Sequence, residues 1–209
     1  MIFKELDPFE SQNADLLAIH RAQEQMTYYL RRAFGTSEEI DALSGLRLST
    51  GGVVAQIDHL VLHPFGMLLV DCQSVLGGLQ VHYDGRWLSW RNSKALEMPS
   101  PIERVFAQAA AFKQFLDIKV KRPEFFERVE IAVLVAVPDK GTIEWPSSGG
   151  LSVVCNADQV PNRVRKHVEE YASRSMGKGV LNLEQRHRVA EFLRVSHKPA
   201  NSPAGGPQN

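Results

Sequence analysis

The sequence predicts an α/β protein with a mixed central β-sheet, an antiparallel meander plus one buried strand, flanked by helices. Three observations predict it. Two runs rich in Val, Leu and Ile flank the turn His63-Pro64-Phe65-Gly66, which reads as a β-hairpin over Val53–Ser74. The run Val129–Val137 is almost wholly apolar, as in a strand buried on both faces beside parallel neighbours. Apolar stripes of helical period lie before and after these strands.

Taken in order, Asp15–Phe34 carries a stripe at Leu16, Ile19, Met26, Leu30 and Ala33, and Gly35 ends it. Glu24 lies well away from that stripe. Gly45–Thr50 is a short strand, and Gly51-Gly52 turns the chain into the hairpin. Leu79–Tyr83 and Arg86–Trp90 surround Asp84-Gly85, a two-residue hairpin signal that extends the meander to about four or five strands. At Ser100-Pro101-Ile102-Glu103 a helix begins, with Ser as N-cap, Pro in the first turn and Glu at the reciprocal capping position. Its apolar face holds Ile102, Val105, Phe106, Ala109, Phe112 and Leu116, with Gln108 at the edge. After Val129–Val137 come a short strand at Leu151–Cys155, a helix from about Pro161 to Ser173, and a last helix capped by Asn182 with Gln185. Residues 1–196 make one domain, and 197–209, rich in Pro, Ala, Gly, Ser and Asn, make a linker-like tail expected to be disordered.

Composition narrows the function. Lys+Arg and Asp+Glu are equal at 24 each, so no global field draws the chain to nucleic acid or to an anionic membrane. The basic clusters, Arg186-His187-Arg188 among them, read as solvated helix faces. Cys72 and Cys155 are far apart, which excludes a zinc site built on cysteine pairs and fits a reducing compartment. With no signal pattern and no long apolar run, the expectation is a soluble, cytoplasmic protein with no membrane partner.

The chemistry concentrates in the hairpin. If the turn is symmetric about Pro64 and Phe65, Leu62 pairs with Met67 and Asp58 stands opposite Asp71. Directly opposed residues share a face, and Gln73, two residues on, shares it too. Cys72 then points into the opposite, packed face. Two carboxylates facing each other on apolar strands repel unless a cation sits between them, and a divalent metal with oxygen ligands suits that place. The alternative is a slipped register in which one Asp merely ends a strand.

These segments, QIDHLVLHPFGMLLVDCQS followed by SPIERVFAQ, together with the order of elements, resemble the nuclease-related domain (NERD) family of the PD-(D/E)xK nuclease superfamily. Gln56-Ile57-Asp58-His59 matches the family pattern, and Asp71-Cys72-Gln73 stands where Glu-x-Lys is expected. The resemblance implies a restriction-endonuclease-like fold and a Mg²⁺- or Mn²⁺-dependent nuclease acting on DNA. It implies Asp58, Asp71 and Glu24 as metal ligands, Gln73 in the place of the lysine, and Gln108 as a polar positioner. Gln73 brings no positive charge; Lys94 and Lys113 are the nearest lysines in sequence that could. The same departures admit a second expectation, a catalytically impaired nuclease-like module that binds nucleic acid or a protein partner.

Overall fold

The computed structural model describes residues 1–209 apart from 75–77, 83, 92–93, 121–125, 127, 140, 148 and 200–209, with the backbone alone for Arg91. Strands β1 (Ile2–Lys4), β2 (Asp41–Thr50), β3 (Val53–His63), β4 (Gly66–Cys72), β8 (Glu130–Val137) and β10 (Val154–Asn156) form one sheet in the order β1-β2-β3-β4-β8-β10. The middle of this sheet is the expected hairpin, with Leu62 opposite Met67 and His63 opposite Gly66. The apolar run in β8 lies between β4 and β10 and is parallel to both. Two parallel neighbours account for its lack of a polar face.

The meander is shorter than expected. Strands β5 (Leu79–Val81) and β6 (Trp87–Arg91) do pair around Asp84-Gly85. They belong, however, to a second sheet in the order β7-β6-β5-β9, with β7 at Lys94–Met98 and β9 at Ile143–Glu144. The reason is competition for an edge. The free side of β4 is taken by β8, which buries more apolar surface there than a short amphipathic strand could, so the chain leaves the main sheet after Gln73.

Helix α1 (Ala14–Phe34) is capped by Asn13, whose side chain accepts from the N–H groups of Asp15 and Leu16. Helix α2 (Pro101–Lys119) starts at the expected cap, Ser100, which accepts from the Glu103 N–H. Helix α3 spans Val160–Arg174, and α4 spans Leu183–Ser196 with the complete Asn182/Gln185 capping box. One face of the main sheet packs Leu43, Leu60, Leu62 and Leu69 against Phe112, Phe115 and Leu116 of α2 and Ala190 and Leu193 of α4. The other face packs Val61, Leu68, Val70 and Cys72 against Met26, Leu30 and Phe34 of α1 and Val160 and Val164 of α3. Not every expected stripe residue is covered. Leu16 and Ile19 remain 45% and 38% exposed, and Phe106 is also open to solvent. The first turns of α1 run beside an open cleft rather than over the sheet. None of the described helices is long and apolar enough to cross a membrane.

A local break in β2 and β3 shapes the site. Leu43 and Leu46, three residues apart, both lie in the same core cluster, and so do Ile57 and Leu60 on the facing strand. Regular strands put residues three apart on opposite faces. The alternation therefore fails on both strands at one level, where Gly45 stands across from Asp58, between the pairs Ser44–His59 and Leu46–Ile57. Gly45 has φ +64°, and a Cβ there would come 3.1 Å from Leu6 Cδ2. Such irregularities re-aim side chains, here that of Asp58.

The cluster Arg186-His187-Arg188 is not the solvated face expected of it. Arg186 is buried and donates from Nε to Asp41 Oδ2 at 3.2 Å, with a second bond to the Glu38 carbonyl. Asp41 is fully buried at the start of β2, and the pairing explains why a helix 145 residues later carries an inward arginine. The start of the tail is docked as well: the Lys198 N–H donates to the Arg47 carbonyl at 2.9 Å, and His197 Nδ1 accepts from the Arg47 N–H at 3.0 Å. The expected disorder of 200–209 lies outside the described residues. Arg186→Met should cost about 3–5 kcal/mol in urea unfolding by removing the hydrogen-bonded cation from the buried Asp41 carboxylate, which is then left with the N-terminal ammonium at 3.4 Å and His187 at 3.6 Å. Adding Asp41→Asn should recover most of that loss; a double variant as unstable as the single one would mean that Arg186 acts through packing alone.

Candidate active site

Asp58 on β3 and Asp71 on β4 line one cleft of about 250 Å³, together with Gln23, Gln73, Arg104 and Gln108. The register expected from the hairpin holds: His59 pairs with Val70, so the next step places Asp58 level with Asp71. Cys72 packs into the α1-side core, as its alternation requires.

Each carboxylate has its own donors. Asp58 Oδ2 accepts from the Cys72 N–H at 2.8 Å, and Oδ1 accepts from Gln23 Nε2 at 2.6 Å. Asp71 is held by a two-pronged guanidinium, with Arg104 Nε 3.0 Å from Oδ1 and Nη2 2.7 Å from Oδ2. Gln73 Nε2 also donates to Asp71 Oδ2, while its N–H bonds the Ala136 carbonyl. Burial, then the neighbouring Asp71 charge, pushes the Asp58 carboxyl up to about 6 against the pull of the Cys72 N–H, Gln23 and Arg104. For Arg104, burial works against the charge but the bond and charge of Asp71 outweigh it, and the guanidinium is held above its usual range. Burial and the two carboxylates raise the Cys72 thiol well above its usual value, so it is no nucleophile here.

Gln108 reaches the cleft from α2, where its Oε1 accepts from the Gln56 N–H at 2.8 Å. Glu24 does not reach it. Its carboxylate lies 3.5 Å from His20 Nε2 on another side of α1, in a shallow cleft with Leu17 and Arg21. Consecutive helical residues point about 100° apart, so turning Gln23 toward Asp58 swings Glu24 away. Lys94 and Lys113 are exposed and do not line the cleft.

Two residues were missed from sequence. Gln23 continues the Ile19–Met26–Leu30 stripe at helical spacing, and a polar residue within an apolar stripe was the available signal. Arg104 is four residues before Gln108, one turn away on the same face of α2.

The donor set fits a hydrated Mg²⁺ or Mn²⁺ completed by substrate oxygens, not a cage made by the protein alone. No group of three or more His, Cys, Asp or Glu side chains converges among the described residues. Mg²⁺ commonly takes one or two carboxylates and fills the remaining positions with water and phosphate oxygens. Asp58 accepts one bond per oxygen, and Asp71 Oδ1 accepts one. A carboxylate offers about four acceptor sites, so capacity remains on both.

With chelator present, Arg104→Met should lower the melting temperature at pH 7.5, a loss of about 1 kcal/mol for a partly exposed pair. The loss should shrink toward pH 5. An Asp58 carboxyl raised above 3.8 destabilises the fold when ionised, a cost complete above about pH 6 and absent below 3.8, and Arg104 offsets part of it. Thermal unfolding of both proteins from pH 4.5 to 8 checks this; a difference independent of pH would mean that Arg104 does not offset the Asp58 charge.

A family model described as the nuclease-related domain matches residues 12–138. No curated protein and no solved structure gives a significant match. The matched span is more than half of the 209 residues and contains both carboxylates, Gln23, Gln73, Arg104 and Gln108. A mixed sheet of six strands flanked by helices, with a carboxylate on each of two adjacent strands, is a nuclease-like arrangement. On this match, the chain belongs to the nuclease-related domain family.

Proposed function

We propose that this cleft is a divalent-metal-dependent phosphodiesterase site acting on DNA. One observation carries the reading: two carboxylates from adjacent strands, one with its carboxyl pushed up to about 6, share a cleft with an arginine fork. Asp58 and Asp71 are the residues that would hold Mg²⁺ or Mn²⁺, whereas Glu24 lies in another cleft beside His20. Such a metal, when bound, would supply Lewis-acid polarisation of a phosphate oxygen and a more acidic water. Gln23 and the Cys72 N–H fix the orientation of Asp58. Gln73 offers its amide as a donor but no charge. Arg104 supplies the positive charge that Gln73 lacks, and its planar fork suits phosphate oxygens as well as it suits Asp71.

A second reading has its own support. Arg104 and Gln73 together place three donors on the two oxygens of Asp71, an arrangement already neutral without a metal. This favours a catalytically impaired module that grips nucleic acid phosphates, or a protein partner, without turnover.

Labelled DNA incubated with Mg²⁺, Mn²⁺ or chelator tests the first reading. Cleavage should need metal, fall at least about 10²-fold in Asp58→Ala, and rise in Gln73→Lys, where an added ammonium stabilises charge in the transition state. Calorimetry should detect Mn²⁺ binding in the wild type and none in Asp58→Ala. Metal binding without cleavage in any variant selects the second reading; no metal binding by the wild type rules out the first.

A further inference from the structure

Asp58 lines a second cleft besides the one it shares with Asp71. This neighbouring space, about 280 Å³, has Ile19, Gln23, Gln56 and Asp58 in common with the first and then opens between Phe9 and Leu16. Its far wall carries exposed apolar side chains. Phe9 is 41% exposed, and its ring is stacked on His20 with centroids 5.0 Å apart and planes at 29°. The aromatic is thus pinned in place without being covered. Leu16 and Ile19, the exposed start of the α1 stripe, flank it.

Asp7 on this wall is paired, and Arg47 lines the cleft as well. Asp7 lies 3.0 Å from Lys4 Nζ and 2.8 Å from His197 Nε2. A neutral, flat heterocycle finds an aromatic face, two aliphatic side chains and two amides there, beside the cation of Arg47. The cleft begins at the carboxylate that, on the reading above, faces the scissile phosphate. What lies one step from a phosphate along a nucleic acid strand is a sugar and its base.

We infer that the Phe9 cleft is a stacking subsite for an unpaired nucleobase next to the scissile phosphate, so that the substrate class is single-stranded DNA, or DNA with an unpaired nucleotide at the cut. The inference rests on the phosphodiesterase reading of the Asp58 cleft and adds to it which form of DNA is taken. Within a duplex both faces of a base are covered by its neighbours, and an aromatic on a protein surface can stack only on a base that has left the helix.

Fluorescence anisotropy with labelled oligonucleotides tests it in chelator, where nothing is cut. The probes are a single strand, the same strand as a duplex, and a single strand carrying abasic sites. The wild type should prefer the intact single strand to both others. Phe9→Ala should weaken single-strand binding by about 5- to 150-fold, the range for loss of one stacked base, and leave duplex binding unchanged. Phe9→Trp should keep the affinity, and its added indole emission should be quenched by the single strand and not by the duplex. Equal losses on single strand and duplex in Phe9→Ala overturn the subsite. So does unchanged single-strand affinity in Phe9→Ala with a gain on ending the chain after Pro199, a result that assigns the cleft to the chain's own tail. Failure of the underlying reading looks different: Arg104→Met then leaves all binding intact, or no probe binds the wild type at all.

Discussion

Like-charge repulsion at the base of an apolar hairpin is the constraint around which this protein is arranged. The β3–β4 register brings Asp58 and Asp71 to one level, in a sheet whose flanking residues are almost all buried aliphatics. In that setting Asp71 adds to the rise of the Asp58 carboxyl, and the two carboxylates cost stability unless donors or cations meet them. Each flanking helix supplies one answer. From α1 comes Gln23, and from α2 comes Arg104, while the strand itself turns the Cys72 N–H toward Asp58. The helices do more than cover the sheet: each is placed so that one polar side chain arrives at the carboxylates.

How much of this could be read beforehand depended on how local the cause was. The hairpin register follows from a short turn, and it carried the carboxylate pair with it. Capping at Ser100 and at Asn182 is equally local and was legible to the residue. Glu24 was carried over by pattern, but the direction of one side chain on a helix depends on the helix's rotation against the sheet, which no residue in α1 states alone. The hairpin around Asp84-Gly85 was visible as a pair, but its sheet was not, because the edge of β4 is claimed by a strand about sixty residues later in the chain. Arg104 escaped for a related reason. It belongs to no basic cluster, and its only sign was its spacing from Gln108. The break at Gly45 had no sign beyond a glycine inside a strand.

At Gln73, where the family resemblance implies a lysine, the cleft does not lack positive charge; another element, α2, delivers it through Arg104. A lysine two residues after Asp71 would ride on the rigid strand. Arg104 sits instead on α2, with a side chain half open to solvent and a long, jointed stem. The charge so delivered is a fork able to exchange one carboxylate for a phosphate, since both present paired oxygens at similar spacing. On the proposed phosphodiesterase reading, Asp71 and an incoming phosphate would compete for the Arg104 guanidinium, and the occupancy of that contact would link substrate arrival to the freeing of a carboxylate.

The buried pair between Asp41 and Arg186 separates two kinds of boundary. Similarity to the family ends at residue 138, yet the partner of Asp41, together with Val189, Ala190 and Leu193 of the same core, lies beyond it. Evolutionary kinship marks where sequences can still be aligned; cooperativity marks which residues must be present together for any of them to be ordered. Here the second unit is the larger one. The last helix is a keystone for the first long strand, because it inserts the arginine that meets the buried Asp41.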